Sequence, residues 1–464
     1  MTKRAPQLRP LFYLMVHKIS LRVTLLILIL LCGQAVWATQ AGQASKEWKK
    51  VPSILSRIKP PKFPRREFAI TKYGAVGDGM TDCTKAFQEA INACNSAGGG
   101  VVVVSGGTFL TGAIHLKSNV DLCVRKNARI LFSTDPNHYL PVVFARFEGT
   151  EVMNYSPLIY AFGQTNVAIT GGGTLDGQGK YWHPWASSGD PKRLVDMGNR
   201  GVPVEKRIFG RGHHLRPNFI VPFHCNNVLI QDIRIVNSPM WVLNPVYCTN
   251  VTIQNVTVDT RGPNTDGCDP DSCADVLVRD CNFSDGDDCI AIKSGRDHDG
   301  QKINVPCRDL IIQNCRFQAG HGGIGIGSET AGGIRDVFAE NCRFDSTNLV
   351  MAIRLKTNPA RGGYIEGVYV RDCVIKVAQI GISMTLRYSS SGAMNGDAIP
   401  VIRDVDIRDT TFKQLRGKAV FIEGWSASAP ISDVSIVDCR FLHAAEKNYI
   451  TNATDIVMDG SRFY

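Results

Sequence analysis

Three short stretches set carboxylates, an amide and an imidazole at repeating intervals: Asn264-Thr265-Asp266-Gly267, Gly286-Asp287-Asp288-Cys289 and Gly320-His321-Gly322. A fourth, Arg354-Leu355-Lys356, adds two cations. An acid that protonates a leaving oxygen, with a second carboxylate that activates water, is the equipment of glycoside hydrolysis. Adjacent Asp287 and Asp288 suit that division of labour, because like charges this close raise one another's pKa and leave one proton shared. A single such loop would be ordinary turn chemistry, since Asp, Asn and Gly populate turns; their succession along the chain is what points to a site. The paired Arg and Lys suit a substrate that is itself acidic, with Arg able to grip a carboxylate in two places. The same cations would also lower the pKa values of the aspartates.

For these stretches to meet, the chain must stack them, and its repeats do so. Val228-Leu229-Ile230-Gln231-Asp232, Val251-Thr252-Ile253-Gln254-Asn255 and Val405-Asp406-Ile407-Arg408-Asp409 share a frame that continues with cysteine in Val278-Arg279-Asp280-Cys281, Ile312-Gln313-Asn314-Cys315 and Ala339-Glu340-Asn341-Cys342. Short β-branched strands bounded by Gly, Asn, Asp or Pro, with no helical pattern between them, predict an all-β, single-domain, right-handed parallel β-helix. Loops one coil apart then stack about 4.8 Å from one another on one face. Phe87, Ala90, Ile91 and Cys94 recur at helical spacing, which predicts an N-terminal capping helix over the first coil.

The formal charge of +10 argues at first for a polyanionic partner. It is concentrated in residues 1–66, where Glu47 is the sole acidic residue, and the rest of the chain is close to neutral. No nucleic-acid partner is expected from so neutral a body. Residues 1–38 read as a signal peptide, with Lys3, Arg4, Arg9 and Lys18 ahead of the apolar run Val23–Leu31 and a small-residue cleavage site at Val36-Trp37-Ala38. That predicts export to the periplasm or medium and no stable membrane span after its removal. Residues 39–66 read as a basic, Pro-containing linker, and residues 67–464 as the β-helix domain. Cysteines that recur at one position of the frame read as stacked core residues. Cys268 and Cys273, in a short loop, are the better candidates for a disulfide. The chain lacks Cys-x-x-Cys with His partners, so neither a metal nor another cofactor is expected.

The four motifs, in this order, resemble glycoside hydrolase family 28, the polygalacturonases, over roughly residues 67–464. The resemblance implies Asp287 as general acid, Asp266 and Asp288 as the pair that holds and deprotonates water, and His321 as the residue that sets the acid's hydrogen bonding. It implies inversion at the anomeric carbon, for which a carboxyl separation of about 6.5–9.5 Å is expected. Asn264, Arg354, Lys356 and Tyr388 would bind a pectic polysaccharide or oligogalacturonide. The intact Asp-Asp pair argues against a rhamnogalacturonan hydrolase. Lys293-Ser294-Gly295-Arg296-Asp297-His298 resembles the bacterial exo-acting branch, in which Arg296 and His298 would close one end of the cleft and meet a chain terminus. Three readings compete: an endo-acting or rhamnogalacturonan/xylogalacturonan-type hydrolase of the same fold, calcium-dependent elimination as in pectate lyases, and a non-catalytic glycan-binding solenoid. Oligomeric state is left open by the sequence.

Overall fold

The repeated frame is a corner. In frame after frame the Asn or Asp that ends a strand takes a left-handed conformation, as at Asn255, Asp280, Asn314, Asn341 and Asp372. Asn and Asp tolerate that conformation because a short polar side chain can hydrogen-bond locally. Here the amides also bond to one another across coils: Asn341 donates to Asn314 at 2.8 Å, and Asn314 to Asp280 at 3.1 Å. The turned backbone sends the next residue inward, and that residue is the recurring cysteine or its apolar equivalent.

The computed structural model describes residues 46–347, 349–389 and 396–464. Two sheets of 13 strands each line the coil, and every pairing within them is parallel. The third face holds a 3-stranded and an 8-stranded sheet, joined through single bridges from Ile220 by way of Leu243 and Cys268 to Ile290. This is the expected right-handed parallel β-helix. Its interior is a continuous column of apolar residues from Ile70 to Phe441. The helix Thr84–Ser96 packs Phe87, Ala90, Ile91 and Cys94 into the first end of that column. The Asp82 carboxylate caps it, accepting the Thr84 N–H at 2.9 Å.

Two expectations need correction. Part of the stretch taken for a linker is the helix Lys50–Arg57, in which Val51 and Ile54 are buried. Arg57 at its end donates to Asp275 at 2.6 Å and lies 3.3 Å from Asp309. A helix with a buried apolar face and an ion pair to distant coils is a docked element, which the basic composition concealed. Residues 51–464 form one compact unit; of residues 1–50, the described part holds an ion pair between Glu47 and Lys50. The signal-peptide expectation lies outside the described residues.

Cys268 and Cys273 do not pair; all 14 described cysteines are free and buried. Cys268 bridges Leu243 on the third face. Cys273 belongs to a separate stack, its sulfur accepting the Cys248 N–H and its own N–H meeting the Cys307 sulfur. Two side chains fixed on separate stacks of a rigid coil are not positioned for the Cβ approach a disulfide requires.

Candidate active site

Each acidic loop runs from the second sheet to the third, so consecutive coils stack the loops. Asp266 precedes the bridge residue Cys268, and Asp287 and Asp288 precede the strand Ile290–Ile292. His321 precedes Gly322–Gly327, and Arg354 and Lys356 lie on Leu349–Lys356. Glycines make the room. A Cβ at Gly322 would sit 2.5 Å from Asp288 Oδ1, and one at Gly325 would sit 3.2 Å from Oδ2. The Gly-rich strand is therefore the pocket that admits the Asp288 carboxylate.

The three aspartates converge. One oxygen from each lies within 4.8 Å of the others. This is tighter than the expected 6.5–9.5 Å, because two are neighbours in sequence and the third stacks one coil away. Their surroundings differ sharply. Asp288 is fully buried; Lys356 Nζ lies 2.5 Å from its Oδ2 and Arg354 3.6 Å from its Oδ1. Burial alone would push the Asp288 carboxyl up, but Lys356 and Arg354 outweigh it and hold the group well below the usual carboxylate range. Asp266 is also buried, with Lys293 Nζ 3.9 Å away. Burial, then the Asp287 charge, pushes its carboxyl well above the ordinary range. Asp266 Oδ1 and Asp288 Oδ1 receive no hydrogen bond from the described residues.

Asp287 stands at the rim, its side chain 21% exposed. Its Oδ1 accepts the Asp288 N–H at 3.0 Å and lies 3.1 Å from His321 Nδ1. That contact raises the His321 pKa above its ordinary value. The cleft these groups line has a volume of about 300 Å³ and also takes in Asn264, Arg354, Lys356 and Tyr388. Both cations sit over the Tyr388 ring, at 5.3 Å for Arg354 and 5.2 Å for Lys356. Asn264 Oδ1 accepts from Arg216 at 2.7 Å.

One end of the cleft is built over. An antiparallel hairpin, Val143–Phe147 with Thr150–Asn154, carries a satellite core in which Phe147, Val152, Leu194 and Phe209 pack with Trp241. Its tip residue Glu148 meets Arg296 at 2.7 Å, and both line the cleft. His298 does not line the cleft. The helix Asp297–Ile303 begins just after Arg296 and carries His298 to an exposed position, where its N–H meets Asn199.

Five lining residues, Ser328 among them, were not named as site residues by the sequence reading. Lys293 is buried, 3.0 Å from Glu329 and 4.6 Å from the centre of the Trp241 ring. A signal for Lys293 was present: it follows Ile290-Ala291-Ile292 as Lys356 follows Ile353-Arg354-Leu355. Glu329, Trp241 and Glu148 have no such periodic mark.

The sequence profile of "Glycosyl hydrolases family 28" matches residues 101–455. The chain belongs to that family. A second profile, "Rhamnogalacturonase A/epimerase, pectate lyase-like", matches residues 68–128, the first coils. A "Probable polygalacturonase" of Vitis vinifera is 33% identical over 82% of this chain and 74% of its own. The "Exo-poly-alpha-D-galacturonosidase" of Dickeya chrysanthemi is 28% identical over 69% of this chain, which spans 57% of that protein. Among solved structures, an exopolygalacturonase from Thermotoga maritima superposes with a TM-score of 0.83 at 40% identity, covering 89% of this chain and 96% of its own. This family 28 member is a glycoside hydrolase, and its parallel coil is the scaffold of pectin-degrading enzymes.

Proposed function

We propose that this hydrolase cleaves the α-1,4-galacturonosidic bonds of polygalacturonate by a single displacement, taking monomers from a chain end. The observation that carries the reading is one rim carboxyl over two buried ones, beside two cations, in a cleft walled at one side.

Asp287 is the acid. With its Oδ1 occupied by the Asp288 N–H and His321, the proton it delivers to the leaving oxygen sits on Oδ2. The proton of the attacking water goes to the coupled Asp266–Asp288 pair, which Asp266 presents to the cleft and whose resting negative charge lies on Asp288. Water's oxygen bonds to the anomeric carbon while the bond to the leaving oxygen breaks. Asp287 ends ionised and the pair ends with one proton more, so a proton must return through solvent before the next turnover.

The short oxygen–oxygen spacing would suit a retaining enzyme on distance alone. A nucleophile must touch the anomeric carbon, however, and Asp288 is fully covered, while burial favours the protonated, weakly nucleophilic form of Asp266. Inversion follows from that pairing of burial with charge.

Arg354, 16% exposed, is the better placed of the two cations to meet a substrate carboxylate, since Lys356 is committed to Asp288. Exo action rests on the Glu148–Arg296 wall. Digestion of polygalacturonate with products sized over time tests the whole reading. Monomer from the first time point supports it, a ladder of oligomers removes exo action, and an unsaturated product removes hydrolysis. The basic leader favours an exported enzyme; among the described residues no helix is long and apolar enough to cross a membrane.

A further inference from the structure

The third sheet continues past the cations. Its register sets Gly325, Arg354, Ser383, Phe421 and Tyr449 in one row, and Lys356, Thr385, Glu423 and Thr451 in the next row but one. Leu355, Met384 and Ile422, between those rows, lie in the interior column, so both rows face outward. At about 4.8 Å per coil, Tyr449 stands about 14 Å along the sheet from Arg354.

What lies there differs from the walled end. The Phe421 and Tyr449 rings stack, with centroids 5.1 Å apart and planes 18° from parallel. Tyr449 is 41% exposed. On the turn that carries Tyr388, the neighbouring Arg387 lies 4.8 Å over the Trp425 ring, held there by the carbonyls of Gly424 and Trp425.

We propose that Phe421, Tyr449 and the Arg387–Trp425 pair form a platform for the part of the polysaccharide that remains outside the catalytic pocket. This rests on the galacturonan-hydrolase reading and adds where the rest of the polymer lies. Three features select a uronic acid chain as occupant. The rows are continuous in register with the cleft floor. Aromatic faces suit the apolar C–H faces of pyranose rings, with Thr385 and Thr451 offering hydroxyls beside them. Arg387, held to backbone carbonyls, keeps its positive charge for substrate carboxylates. Glu423, which accepts from Thr385 at 3.0 Å, repels a carboxylate over the middle of the platform and turns the acid groups toward Arg387.

The test is the ratio of kcat/KM on long polygalacturonate to that on digalacturonate, a dimer too short to span cleft and platform. Tyr449→Ala should lower that ratio about fivefold, the size of one lost aromatic contact. Trp425→Ala should lower it in the same direction, and Tyr449→Trp should restore it. A ratio that Tyr449→Ala leaves unchanged overturns the proposal, including the case where both rates fall together through poor folding. A wild-type enzyme that hydrolyses neither substrate would instead remove the underlying reading, so the two failures are distinguishable.

Discussion

The floor and the rim of the cleft use the same residue type to opposite ends. On the floor, Asp288 is buried and ion-paired to Lys356 and Arg354, which favour its charged form in the resting enzyme. At the rim, Asp287, the preceding residue, is partly exposed and bound by an imidazole and one N–H. One peptide bond separates a buried, cation-paired carboxylate from a carboxyl that meets the cleft. Environment assigns the roles, and sequence order alone cannot.

Substitutions can break that contrast, and the largest effect should come from the rim. Asp287→Asn should cut kcat about 10²–10⁴-fold, the usual reach of general acid catalysis, while the thermal midpoint barely moves. The floor should respond the other way. Asp288→Asn leaves Lys356 buried without its partner, which should cost about 3–5 kcal/mol in denaturant unfolding as well as activity. A smaller effect sharpens the difference within the floor. A carboxyl whose pKa burial raises holds its proton more tightly in the fold than in the unfolded chain, so Asp266 lowers stability as pH rises above its unfolded value. Asp266→Asn should therefore be inactive yet no less stable than wild type at pH 7, with the difference shrinking toward pH 4. Smallest is His321→Ala. Its pKa is raised by Asp287, so the charged form persists above its ordinary 6.5 and is lost as pH rises further. The alkaline limb of the kcat/KM profile should move in this variant, with kcat falling about tenfold.

Legibility in the sequence followed periodicity. The frame ending in Asn or Asp and then Cys betrayed the corner of each coil, because few residue types accept its left-handed backbone and a thiol fills the inward site. The aspartates and cations were legible because each sits at a fixed offset from a repeated strand. The closing wall was not, for the hairpin at residues 143–154 interrupts the repeat and brings Glu148 to Arg296 across 148 residues of sequence. His298 was misplaced because a seven-residue helix begins immediately before it. Cys268 and Cys273 looked like partners in sequence, yet the coil assigns them to different stacks.

The central claim is that water, activated on the buried floor, displaces a leaving group protonated at the rim. Proton NMR of the first sugar released from polygalacturonate tests it directly. The account predicts β-galacturonic acid as the initial product, followed by slow mutarotation. Initial release of the α-anomer would contradict it and make one of the buried carboxylates a nucleophile.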